Sequence, residues 1–200
     1  MVLFVGKPAP DFNTLAIMPD NKFEPEFNLT KYLGGYMGVL FFYSMDFSYV
    51  CPTEIIAIQN RIKEFNARKT RPVVVSVDSH IAHLKWKKTR REEGGVDKLD
   101  FPLVSDITRR ISKGYDVLVN ESMALRGTFI IDKDGIVRYQ GVYDLPIGRN
   151  IDEVLRVIDG LQHYQKTGQV IPAGWRKGDP AVTPGEESLS KFLVANQGAL

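Results

Sequence analysis

The stretch YMGVLFFYSMDFSYVCPTEI, residues 36–55, decides the fold of this 200-residue chain. Its first nine residues form an unbroken apolar run with aromatic and β-branched members, the pattern of a strand buried on both faces. The period then changes. Cys51, Ile55, Ile58, Ile62 and Phe65 recur at spacings of 4, 3, 4 and 3, which is one face of a helix. Pro52 suits the first helical position, where a missing N–H costs nothing, and so places Cys51 at the cap.

The same alternation continues outward from this strand–helix unit. RPVVVSVD (71–78) reads as a second buried strand, and SHIAHLKWKKTRREE (79–93) as a charged amphipathic helix capped by Ser79. GTFIIDKDGIVRYQGVY (127–143) reads as two strands around an Asp134-Gly135 turn. NIDEVLRVIDGLQHYQ (150–165) opens with Asn150 and carries Glu153 three residues on, in imitation of a capping box. Strands separated by helices pair in parallel, and the late hairpin adds antiparallel strands. The expected class is α/β, a mixed central sheet with helices on both faces. From Thr167 the chain turns rich in Gly, Pro and Ser. Residues 167–200 are therefore read as an extended arm that packs on a partner subunit, and 1–166 as the domain.

Composition narrows the function. The apolar fraction is 44%, the charged fraction 25% and the net charge +2, which points away from nucleic acid and anionic membranes as partners. One cysteine excludes an intrachain disulfide. No apolar run approaches a membrane span, and five residues before Gly6 are too few for a secretory signal, so a cytoplasmic location is expected. His80 and His83 lie three apart without a third ligand nearby, DKDG lacks spaced calcium ligands, and KWKKTRREE reads as a solvated face. Trp86 is read as a core or interface residue, and His163 as a partner of carbonyls at its helix end. No metal or cofactor is implied.

Cys51 carries the candidate chemistry. A sulfur at a helix start meets free backbone N–H groups and the positive end of the dipole, both of which favour the nucleophilic thiolate. A free cysteine is also a common buried hydrophobe, and position alone leaves both readings open.

The stretch FFYSMDFSYVCPTEI resembles the active-site signature of the peroxiredoxins: Pro, three residues, Thr, two residues, Cys, in a phrase ending Val-Cys-Pro-Thr-Glu. The resemblance extends in order through VVSVDSHIAHLKW, FPLVSDITRRISKGYDVL, LRGTFIIDKDGIVR and VIPAGWRKGD, and is greatest with the bacterial alkyl hydroperoxide reductase type. It implies a thioredoxin-like fold that reduces hydrogen peroxide and organic hydroperoxides. By that resemblance Cys51 is the peroxidatic nucleophile and Arg126 the electrostatic stabiliser. Ser48 is the hydroxyl partner, in the family's threonine position, and Glu54 orients Arg126. The resemblance also implies homodimers, with a ring of five dimers as the larger assembly. The tail carrying Trp175 would wrap a neighbour, and the strand near Val137–Val142 would pair across the dimer.

Three positions depart from the family pattern. Ser44 replaces a proline and is expected to remove a shield from the sulfur. Ser48 keeps a hydroxyl but loses the methyl that stiffens its rotamer. Ile171 stands where the two-cysteine subgroup has its resolving cysteine. An isoleucine cannot attack a sulfenic acid, so an external thiol must do so: a thioredoxin-like protein, glutathione or a flavoprotein reductase. The alternative class is a holdase-type chaperone or redox-weakened scaffold on the same fold.

Overall fold

Strands and helices alternate through residues 2–198, the part of the chain that this computed structural model describes. β1 (Asn13–Ile17) and β2 (Phe23–Asn28) form a hairpin, followed by α1 (Leu29–Leu33) and the apolar strand β3 (Met37–Phe42). Then come α2 (Cys51–Asn60), α3 (Ile62–Ala67), β4 (Thr70–Ser76), α4 (His80–Lys88), β5 (Leu103–Ser105) and α5 (Arg110–Gly114). A small ladder, β6 (Leu118–Val119) with β7 (Met123–Ala124), precedes β8 (Arg126–Ile131) and β9 (Val137–Tyr143). The chain divides into two compact units after Arg149; α6 (Ile151–Thr167) and α7 (Glu186–Ala195) belong to the second.

Among the described residues, seven strands of the first unit form one sheet in the order β2-β1-β5-β4-β3-β8-β9. β3 pairs in parallel with β4, and β4 with β5, while β8 and β9 are antiparallel, as the alternation of elements predicts. All six residues of β3 are buried because it has strands on both sides, which explains its unbroken apolar run. Pro72 is tolerated in β4 because it precedes Val74, where pairing with β5 begins, so its missing N–H faces no partner strand. Gly135 turns the β8–β9 hairpin at φ +79°, a conformation that favours glycine. Phe42, Tyr115 and Phe129 meet edge-on or tilted, with ring centroids 4.8–5.8 Å apart, in the core beneath β3 and β8.

The details differ from the sequence reading in several places. The stripe from Cys51 to Phe65 is buried as expected, but Arg61 interrupts it and splits it into α2 and α3. Ser79 caps α4 by accepting from Ala82 N, yet that helix stops at Lys88, and only a 3₁₀ turn covers Arg91–Glu93. The Asn150 side chain accepts from Asp152 N, while Glu153 pairs with Arg156 at 2.6 Å instead of closing a capping box. The arm is not extended throughout: Val170 pairs with Val182, and α7 follows. Residue 166 lies in the last turn of α6.

Candidate active site

Topology brings the site together. β8 runs antiparallel to β3, with Phe41 opposite Thr128, so the start of β8 lies beside the end of β3. Arg126 opens β8 there, and from the same end of β3 the chain passes through residues 43–50 into α2. Cys51 is the first residue of that helix; the cap is Val50, one position earlier than expected, and it offers no side-chain bond. Boundaries of this kind shift readily by a residue.

Cys51 is fully buried. Its Sγ lies 3.2 Å from Nη1 of Arg126, which donates to it, and 3.3 Å from Oγ of Ser44. Burial alone would push the thiol's pKa up. Hydrogen bonds led by that of Ser44, with Ser48, Arg126 and the Met45 backbone contributing, outweigh it and hold the thiol below its ordinary value. Ser44 therefore acts opposite to expectation. It sits at 6% exposure against the sulfur, and the sulfur keeps no solvent-accessible surface. The Ser48 hydroxyl donates to Met45 O at 2.9 Å. Rotation about its C–O bond would turn the same proton toward Cys51.

Arg126 is buried, not a surface residue at a strand edge. Its Nε and Nη2 donate to Leu145 O at 2.8 and 2.6 Å, which fixes the plane of the guanidinium. Nη1 also donates to Glu54 Oε2 at 2.8 Å. Burial lowers the Arg126 pKa, but the sulfur and Glu54 together raise it above the ordinary value, so the group stays charged.

Glu54 is likewise buried, and a second arginine, Arg149, surrounds it. Arg149 N and Nε both donate to Oε1 at 2.8 Å, and Nη2 donates to Oε2 at 2.9 Å. Nη1 of Arg149 donates to Gly127 O at 2.8 Å and so ties the pair to β8. Burial raises the Glu54 pKa; the bonds and charge of Arg149, then the charge of Arg126, reverse that and leave it lowered. Sequence reasoning misses Arg149, which stands in the loop LPIGRN, 95 residues from its carboxylate.

A second buried network anchors the loop. Tyr43 donates from its hydroxyl to Asp46 Oδ1 at 2.7 Å, and Asp46 Oδ2 lies 2.9 Å from His83 Nδ1. The other His83 nitrogen faces Val104 O at 3.2 Å. Asp46 N donates to Asp78 at 2.9 Å. His83 is thus committed to the core and the His80 ring lies tilted against Phe23, so neither is placed for a shared metal. No group of three His, Cys, Asp or Glu among the described residues could hold a metal ion, and no helix among them is long and apolar enough to cross a membrane. Trp86 is in the core.

In the second unit Ile171 packs over Gly160 of α6 and lines an apolar groove of about 460 Å³ with Val157, Leu161, Tyr164 and Pro172. Trp175 is buried; its ring lies 5.3 Å from that of His163, whose Nε2 meets the Gln169 side chain at 3.0 Å and not a carbonyl at the helix end.

A buried thiol below its ordinary pKa, bonded to a fixed guanidinium on a thioredoxin-like sheet, is the equipment of a thiol-dependent peroxidase. It is not the weakened pocket that a holdase scaffold would carry. Residues 5–140 match the AhpC/TSA family, and residues 160–191 match the C-terminal domain of 1-Cys peroxiredoxin. Alkyl hydroperoxide reductase C of Helicobacter pylori is 45% identical over 97% of this chain and 98% of its own. The mitochondrial thioredoxin-dependent peroxide reductase of Drosophila melanogaster is 50% identical over 94% of this chain and 81% of its own. The reduced 2-Cys peroxiredoxin of Plasmodium vivax superimposes with a TM-score of 0.93 at 44% identity, covering 96% of this chain and all of that one. The chain belongs to the AhpC/TSA family, the peroxiredoxins.

Proposed function

We propose that this chain reduces hydrogen peroxide and organic hydroperoxides through Cys51, with an external thiol completing each cycle. The observation that carries the proposal is the Arg126 Nη1 to Cys51 Sγ hydrogen bond at 3.2 Å. The thiolate attacks one peroxide oxygen, an S–O bond forms and the O–O bond breaks. Sulfur loses two electrons, and the departing oxygen leaves as hydroxide or alkoxide and takes a proton from water. Arg126 stabilises charge as it moves from sulfur to the leaving oxygen, and its several donors can serve both atoms. Glu54, itself held by Arg149, orients Arg126. Ser48 supplies a hydroxyl to the peroxide.

The reducing half follows from Ile171. The chain has one cysteine, so the sulfenic acid condenses with a thiol from outside, and a second thiol equivalent releases Cys51 as a thiol. A thioredoxin-like protein, glutathione or a flavoprotein reductase can fill that role. A reducing compartment such as the cytoplasm suits this cycle. The working unit is a homodimer, with a ring of five dimers as the larger form. β9 stands at the sheet edge, where a partner's β9 can pair with it, and residues 167–200 pack on that partner. Peroxide consumption is to be measured with each thiol in turn, alongside sulfenic-acid trapping. Rapid labelling that Cys51→Ser abolishes supports the cycle; a thiol inert to micromolar peroxide for minutes refutes it.

A further inference from the structure

Ser44 is not among the groups so far assigned to the reaction, yet its hydroxyl, like the Arg126 guanidinium, has the reacting sulfur as its hydrogen-bond partner. Both of its flanks are pinned. Tyr43 N donates to Val75 O at 3.0 Å, and the Tyr43 hydroxyl donates to Asp46 at 2.7 Å. Asp46 is held in turn by His83 and Asp78. The hydroxyl of Ser44 is therefore presented to Cys51 by a rigid frame, at 3.3 Å, on a residue that is itself buried. A thiolate has no proton to give, so in the ionised site Ser44 must be the donor.

We propose that Ser44 is a catalytic residue that donates to the Cys51 thiolate and sets the balance between the amount of thiolate and its reactivity. The inference rests on the peroxidase reading above. A donor to an ionised sulfur stabilises the ground state and so increases the thiolate fraction. The same bond weakens as charge leaves sulfur in the transition state, so each thiolate attacks more slowly. Thiol nucleophilicity follows basicity with a Brønsted slope of about 0.4–0.5. The order of causes that lower the Cys51 pKa, with the Ser44 bond ahead of the Arg126 bond, agrees with this geometry.

The test titrates Cys51 by thiolate absorbance in the full chain, with Cys51→Ser as the blank, and then follows its oxidation by hydrogen peroxide across pH. Ser44→Ala should raise the pKa by roughly one unit, the scale of one donor to a charged acceptor. A one-unit rise should lift the plateau rate above that pKa about threefold and cut the acid limb about threefold. Ser44→Gly removes the same hydroxyl by another route and should repeat both shifts, and Ser44→Thr should restore the parent profile. If folded Ser44→Ala and Ser44→Gly titrate like the parent, Ser44 does not donate to the sulfur and the proposal fails. It also fails if the pKa rises but the plateau rate falls, because the hydroxyl would then aid the transition state. A parent thiol that titrates low yet ignores peroxide would sink the peroxidase reading and leave the titration to decide the Ser44 bond.

Discussion

Glu54→Gln tests the electrostatic design at its centre. The carboxylate accepts four hydrogen bonds between 2.8 and 2.9 Å: three from Arg149 and one from Arg126. A glutamine keeps one oxygen. If that oxygen faces Arg149 N and Nε, the new NH₂ stands against Arg126 Nη1 and Arg149 Nη2. Two charge-assisted bonds are lost and two donor pairs collide. At about 1.5–3 kcal/mol for each charged bond, the loss is on the order of 3–6 kcal/mol. Removing one partner of a buried ion pair independently suggests roughly 3–5 kcal/mol. In a domain of this size that lowers Tm by about 2–4 °C per kcal/mol. Guanidinium-induced and thermal unfolding of the full chain measure it, with parent and variant at the same concentration. The field argument adds a second expectation of opposite sense. With the carboxylate charge gone, the two guanidinium groups hold the Cys51 thiolate more strongly, so its pKa falls while stability falls. A loss below about 1 kcal/mol, the scale of an exposed pair, would refute the picture of a buried carboxylate that compensates two arginines.

Arg126→Ala should slow Cys51 oxidation about a hundredfold or more, the scale of losing a fixed donor to developing charge, as stopped-flow fluorescence would measure. The Cys51 pKa is held below its ordinary value by its hydrogen-bond donors, so the thiolate persists to lower pH than in a free thiol. The oxidation rate should be flat above the folded pKa and fall as pH drops through it, at a lower pH than for an ordinary thiol. In stability terms, this depressed group contributes fully above the unfolded thiol's pKa, and the contribution is lost on acidification through the folded one. Arg138→Ala removes a 42% exposed arginine from the buried Asp132, whose carboxylate keeps its bonds from Asp134 N and Ile136 N, and should cost about 1 kcal/mol, less than Glu54→Gln. Ile171→Cys should give a covalent dimer on non-reducing gels after peroxide treatment; a chain that stays monomeric would overturn the proposed packing of the arm on a partner.

The sequence made legible whatever depends on local period and end chemistry. β3 and α2 follow from residues 36–55, and the β8–β9 hairpin from Asp134-Gly135. What it hid depends on chain segments far apart. β5 has three residues, too few to show a period. Arg149 looks like an ordinary loop arginine until folding brings it onto Glu54. The Ser44 role was misread because a serine in a proline position suggests a leak, while its actual surroundings are dry and its hydroxyl points at sulfur. Asp46 carried no signal of its own, since a buried, paired acid looks like a surface residue in one dimension.

The complete enclosure of the Cys51 sulfur divides its visitors by bulk. A small oxidant needs only a few side chains to give way. An incoming thiol must line up with the S–O bond, and for that the residues covering the sulfur have to open further than for a peroxide. At high reductant concentration, turnover should therefore stop rising with added thiol, because opening of the site becomes the slow step whatever thiol is supplied.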